Sequence, residues 1–420
     1  MIYDVIIVGS GIAGLNIYNE LLYKKKYDNM MLIDKNSYIG GRIYTISLTL
    51  NGIKHTLEAG GARFNDKHKK LIKLIEEYSL QNQVTKINSS SLEFSPRYNK
   101  WKNNPITNSL PYYYLDEALK KYNLDPSISK YSFREWLYKT FKKNIADYII
   151  ASYPYTDIFK TNAYDALRLY KKSMNINQNF YVLKNGLSML INLLTQDIKQ
   201  QGGTIQLNTK CLDIIYKDNL YTISCLLNNK PVKYITKKLV LTIQQPQLKN
   251  FKIFKPIRSL INTVSTTVLL RIYFIFKVPK KGVWFKHLKK TLTDSKIQYF
   301  IPIDYNKGSV MISYSDDSKA KFLKNLDNKN SKKFIEFILD ECKTIFNIKH
   351  IPLPIWHKLC YWDSGVGIWK KNVNSEEASK KIIRPFQRKN LFICGENYSR
   401  NYQGWIEGSL ETSDKVFKLL

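Results

Sequence analysis

At 420 residues the chain exceeds what one simple core needs, and 44% hydrophobic with 13% aromatic content excludes a disordered polymer and points to two or three packed domains. Its formal charge of +32 is spread along the chain with only short clusters such as Lys24-Lys25-Lys26, beside abundant Asn, Ile and Tyr. That pattern reads as a compositional bias giving a solvated basic surface, with nucleic acid or another polyanion as the alternative partner.

In chain order, residues 3–8 (YDVIIV) read as a buried parallel strand, 12–25 as a helix and 30–34 as a second strand. Residues 66–180 carry a mostly helical pattern, and 187–200 give a further helix. Strands are expected at 204–207, 220–227 and 238–243, then at 264–276, 297–303 and 309–314 in a second sheet. A helix follows at 331–346, and the chain closes with a strand at 391–394 and a helix at 405–418. The start, MIYDVIIVGSG, has no basic region and no small-residue cleavage site. The most apolar stretch, 264–276, contains Arg271 and is too short for a bilayer, and no lipidation motif ends the chain. A soluble intracellular protein is expected, with no membrane partner; no motif bears on its oligomeric state. The five cysteines never fall in CxxC spacing and the five histidines form no ligand pair, so neither disulfides nor a metal are expected.

Glycine is concentrated at the two ends: eight of 18 lie in residues 1–61 and five in 365–420, with none between Ala62 and Asn185. Close backbone approach to a ligand is therefore expected from both ends. Gly9-Ser10-Gly11-Ile-Ala-Gly14 follows the first strand and opens the first helix. The first glycine makes the turn, the second admits a pyrophosphate and the third packs helix on strand. Asp34 ends the second strand, twenty residues after Gly14, where a carboxylate can bind an adenosine ribose. This is a dinucleotide site that by itself leaves NAD and FAD open.

Four further segments follow in order: Gly40-Gly41-Arg42, Glu58-Ala-Gly60-Gly61-Ala62-Arg63, Leu391-Phe-Ile-Cys-Gly395-Glu396 and Gln403-Gly404-Trp405-Ile406-Glu407-Gly408. With these, and with stretches 179–194 and 202–214, nearly the whole chain resembles the flavin-containing amine oxidase superfamily of monoamine, polyamine and L-amino-acid oxidases. The resemblance implies an α/β fold: a discontinuous Rossmann-like FAD domain of the glutathione-reductase type (1–65, 187–250 and 385–420). It also implies an α+β substrate domain with a helical part (66–186) and a mixed-sheet part (251–384). It assigns the pyrophosphate to Gly9, Ser10, Gly11 and Gly14, and the ribose to Asp34 and Lys35. Gly41 and Arg42 are assigned to the diphosphate and ribityl region, and Gly60, Gly61, Ala62 and Arg63 to the isoalloxazine ring. Cys211 stands at the adenine-contacting position, Glu396 after Gly395 at the ribityl–phosphate part, and Trp405 with Ile406 at the flavin pyrimidine.

The implied chemistry is hydride removal from the amine-bearing carbon of a small-molecule amine or amino acid to flavin N5, with O2 as acceptor giving H2O2. Trp405 takes the aromatic-cage position, with Trp369 or Trp362 as the second wall. Arg63 falls where amino-acid-oxidising relatives bind the substrate carboxylate. Arg271 stands where the family carries a lysine that holds water against flavin N5, and a guanidinium fork differs from an ammonium. A flavin dehydrogenase or desaturase with another acceptor is therefore an alternative, as is a non-catalytic basic FAD-binding scaffold for nucleic acid or a coat. No cysteine lies within 361–369, so the FAD is expected to be noncovalent.

Overall fold

In the computed structural model, which describes residues 1–87, 92–101, 104–121, 124–174, 179–387 and 389–420, the first strand is Ile2–Val8. It sits inside a seven-stranded sheet, with Ile7 opposite Leu32 on one side and Val240 on the other, both in parallel register. A parallel strand covered on both faces cannot alternate polar and apolar residues, which is why DVIIV is continuous. Val5, Ile6 and Ile7 are fully buried. The helix Ile12–Tyr23 packs back over one face against the helices Ser188–Gln200 and Ile406–Phe417, joining Leu15, Tyr18 and Leu21 to Leu190, Leu194 and Leu410. The sheet thus draws strands from three distant parts of the chain, the last being Leu391–Ile393 alongside Leu239–Leu241.

The same sheet continues through an antiparallel meander of Thr209–Lys217, Leu220–Leu227 and Lys230–Leu241. Its tight turns place Asp218-Asn219 and Asn228-Asn229 at positive φ, the hairpin geometry that short polar residues tolerate. Sequence periodicity missed Thr209–Lys217 and found only the end of Lys230–Leu241.

The second sheet runs Trp356–Trp369, Val264–Ile275, Ser309–Asp316, Tyr299–Asp304, Lys290–Leu292 and Leu92–Phe94. Helices Asp317–Lys329 and Ser331–Phe346 cover one face, burying Phe334, Ile338 and Cys342 with Leu270, Ile272 and Phe274. Against its other side packs the hairpin Thr45–Leu50/Ile53–Glu58, turned by Asn51-Gly52 with both residues at positive φ. A helical layer of Pro111–Lys121, Phe133–Thr140, Lys143–Ser152 and Ala163–Leu169 has its own core around Leu115, Phe133, Leu137 and Ile149. The Phe133 helix is started by a capping box in which Ser132 and Glu135 satisfy each other's backbone N–H groups.

The middle of the chain is less helical than expected. Val84–Ile87 and Leu92–Phe94 are strands, and Phe180–Leu183 pairs with the former. Residues 88–91, 102–103, 122–123 and 175–178 of that expected helical stretch lie outside the described residues. Among the described residues no helix is long and apolar enough to cross a membrane, and no cluster of His, Cys, Asp or Glu could hold a metal.

Candidate functional site

A cavity of about 730 Å³ takes its walls from both chain ends and from the second sheet. Its volume falls within the roughly 300–1,000 Å³ of small-molecule and cofactor sites. The three fingerprint glycines divide the labour. A Cβ on Gly9 would sit 2.4 Å from the Thr242 hydroxyl oxygen, and one on Gly14 would sit 2.0 Å from the Gly9 carbonyl oxygen. Those two allow strand and helix to touch. A Cβ on Gly11 would meet no protein atom within 4 Å. Gly11 lines the cavity, where the helix Ile12–Tyr23 begins with no acidic residue in its first turn. Open space and free N–H groups at one point suit a pyrophosphate.

Ser10 and Gly14 do not line the cavity. Ser10 is fully buried and instead donates its N–H (2.7 Å) and hydroxyl (2.9 Å) to the Asp34 carboxylate. Asp34 also accepts from the Asn36 N–H at 2.8 Å, and it does face the cavity together with Lys35. Ser10 therefore orients the Asp34 carboxylate, where the spacing alone suggested phosphate contact. Cys211 lines the same end, opposite Cys225 on the neighbouring strand; a hydrogen bond with Cys225, reinforced by burial, raises its pKa and keeps the thiol protonated. Among the described residues it is the only cysteine on the cavity wall.

In the middle of the cavity Arg42 donates to the Gly365 carbonyl at 2.7 Å and to the Glu396 carboxylate at 2.5 Å. Glu396, 4% exposed, also accepts the backbone N–H groups of Gly404 (2.9 Å) and Gly367 (3.3 Å). Four chain segments meet at one carboxylate. Gly395 sits beside it on the wall at φ +134°, and Gly41 lies opposite Gly11. Gly60 and Gly61 bring the backbone close, since a Cβ on Gly60 would lie 1.9 Å from the Arg42 carbonyl oxygen and one on Gly61 3.1 Å from Ile406 Cδ1. Ala62, Arg63, Trp405 and Ile406 continue the same wall.

The remaining end is cationic and aromatic. Arg63 donates to the Tyr155 hydroxyl at 2.6 Å and lies 4.5 Å from the Phe180 ring centre and 5.7 Å from that of Trp405. Trp405 stacks on Phe180 at 6.0 Å, so one indole face is already covered. Behind it His68 is fully buried with its ring 4.8 Å away, and burial, with Arg63 and Lys172 nearby, lowers its pKa to about 3, so it is neutral. Arg271 faces the cavity, donating to the Glu58 carbonyl at 2.7 Å and lying 4.8 Å from the Tyr314 ring centre. Trp362 also lines it, anchored by its indole N–H on the Ala59 carbonyl at 2.7 Å.

Trp369 is a correction. It is fully buried against Tyr398 in the core beneath the first sheet and does not reach the cavity. It ends the strand whose preceding residues 361–368 all line the wall, and there the chain turns inward. Sequence reading also missed Tyr155, Tyr314 and Asp157 on the wall. Asp157 is held well above the usual carboxylate range by burial and by Asp316, which accepts the Thr156 and Asp157 N–H groups. No spacing rule marks these positions, because the fold assembles them from unrelated elements.

The fold is that of flavin-dependent amine oxidases. Solved structures of a putrescine oxidase double mutant superpose with TM-score 0.76 at 13% identity, covering 99% of this chain and 98% of that one. The wild-type putrescine oxidase bound to putrescine gives 0.75 at 13%, covering 100% and 98%. No curated protein matches the sequence. The model of the flavin containing amine oxidoreductases matches residues 12–416, and the chain belongs to that family.

Proposed function

We propose that the chain holds FAD noncovalently and oxidises the C–N bond of a small amine or amino acid, with O2 as acceptor giving H2O2. The observation that carries this reading is one continuous cavity with an anion-binding glycine turn at one end and a guanidinium-aromatic cluster at the other. Gly11 and the helix start behind it would receive the pyrophosphate, and Asp34, oriented by Ser10, the ribose. Gly41, Arg42 and Glu396 would flank the ribityl chain. Gly60 to Arg63 and the N-terminus of the Ile406 helix would flank the ring, where the helix dipole favours negative charge. Cys211 lies at the Asp34 end of the cavity, which supports noncovalent attachment at the ring.

When bound, FAD supplies the hydride acceptor at flavin N5. The protein's share is placement and exclusion of water. Arg63 presents its fork to a substrate carboxylate, while Trp405 and Trp362 offer apolar surface that favours an uncharged amine, the form able to give up hydride. Arg271, braced by the Glu58 carbonyl, is placed to hold a water or an anion. The presence of arginine rather than lysine supports a second reading, a dehydrogenase using another acceptor. Denaturing the purified protein separates the attachment question, because noncovalent FAD must appear in the protein-free fraction. Peroxide formed in step with substrate consumption supports the oxidase. Substrate-reduced flavin that stays reduced in air supports the dehydrogenase.

A further inference from the structure

We infer that the substrate carries two anionic groups, one received by Arg63 and the other by Arg271, as in an acidic amino acid; this rests on the amine-oxidising reading above. Three arginines among the described residues line the cavity, and the chain treats them differently. Arg42 has a carboxylate partner in Glu396. None of the ion pairs formed by arginines among the described residues includes Arg63 or Arg271. A guanidinium removed from water without a counter-charge is costly, and a charge-bearing ligand relieves that cost.

The two cations open onto the same stretch of wall. Arg63 grips the Tyr155 hydroxyl at 2.6 Å, Arg271 lies 4.8 Å from the Tyr314 ring centre, and the two tyrosine rings meet edge to face at 5.5 Å. Each keeps donors to spare out of five, since Arg63 spends one nitrogen on a phenol and Arg271 is engaged with the Glu58 carbonyl and the Tyr273 and Tyr314 hydroxyls. The nearby carboxylates form no ion pair with either, although Glu58 acts on Arg271 through space. Glu58 is held by the Leu187 N–H (2.6 Å) and the Thr45 hydroxyl (2.8 Å), and Asp316, behind Asp157, is held by the Thr156 and Asp157 N–H groups. The FAD pyrophosphate belongs at the Gly11 end, so its charge does not answer for these two arginines. Two fixed cations repel a diamine and at the same time favour the uncharged amine of a bound amino acid.

The test uses the FAD-loaded protein and inert probes read by perturbation of the flavin absorbance. Glutarate is expected to bind at least tenfold more tightly than butyrate. R63M and R271M are each expected to lose at least tenfold in glutarate affinity, measured on the FAD-loaded fraction of each variant, with R271K recovering only part. Under anaerobic conditions L-glutamate or L-aspartate is expected to bleach the flavin and putrescine is not. Equal binding of glutarate and butyrate, or bleaching by putrescine or a neutral amino acid but by neither acidic one, overturns the two-anion claim and leaves amine oxidation standing. Tight, arginine-dependent glutarate binding with no bleaching by any amine upholds the anion site and overturns the oxidative reading instead.

Discussion

The Arg42 guanidinium meets the Glu396 carboxylate at 2.5 Å across 354 positions of sequence, and this contact closes the cavity between the two chain ends. Both glycine-rich regions depend on it, because Glu396 also receives the N–H groups of Gly367 and Gly404. Glu396→Ala strips these donors of their acceptor and leaves Arg42 with the Gly365 carbonyl alone. The expected loss is about 3 kcal/mol, the lower end of the range for a broken buried pair, since the Arg42 side chain is 28% exposed. Chemical denaturation and FAD retention on a desalting column should both show it; an unchanged midpoint would contradict the assignment.

Gly11 and Gly14 should fail in different ways when changed to alanine. A Cβ at Gly14 collides with the Gly9 carbonyl oxygen at 2.0 Å, so Gly14→Ala is expected to lower the thermal midpoint with or without FAD. A Cβ at Gly11 enters open space, so Gly11→Ala should leave the apoprotein as stable as wild type and weaken FAD at least tenfold. Thermal melts and fluorescence titration with FAD distinguish the two.

Glu58 makes stability depend on pH. Burial, opposed by the Leu187 N–H, the Thr45 hydroxyl and Arg271, raises its pKa from 4.5 to about 7. A carboxyl whose folded pKa is raised favours the folded state while protonated, so its contribution is complete below about pH 4.5 and disappears as pH rises through 7. The gap between 4.5 and about 7 corresponds to about 3 kcal/mol. Denaturation of wild type from pH 5 to 8 should show a decline that Glu58→Gln flattens; parallel curves would show that Glu58 does not titrate there.

Trp369 and Trp405 should separate stability from function. Trp369→Leu empties part of a core and is expected to cost roughly 2–4 kcal/mol while leaving the rate of flavin reduction unchanged. Trp405→Leu removes a cavity wall and should slow flavin reduction or raise KM at least tenfold. Stopped-flow reduction of both variants, corrected for FAD content, makes the comparison.

What the sequence revealed follows from how each feature is encoded. The strand Ile2–Val8, its glycine turn and Asp34 are local, with spacing set by a single strand-turn-helix unit, and the structure places them together. The hairpin around Asn51-Gly52 was equally local and carried its own signal, a two-residue turn between alternating stretches, yet periodicity alone passed over it. Trp356–Trp369 was harder, since Gly365 and Gly367 interrupt its pattern. They are there because a Cβ would lie 2.4 Å from Leu269 Cγ and 2.7 Å from Asn397 Cα. The wall of Tyr155, Asp157 and Tyr314 comes from two elements far apart in sequence, so only folding reveals it. Ser10 and Trp369 show the converse: each lies within a recognisable motif, but its side chain points into the protein.

The most direct measurement is anaerobic mixing of the FAD-loaded protein with a panel of monoamines, diamines, neutral amino acids and acidic amino acids, followed at the flavin absorbance. Full bleaching by at least one member of the panel, strongest with an acidic amino acid, is the expected result. A flavin that stays oxidised with every member, in protein shown to be folded and saturated with FAD, would contradict it.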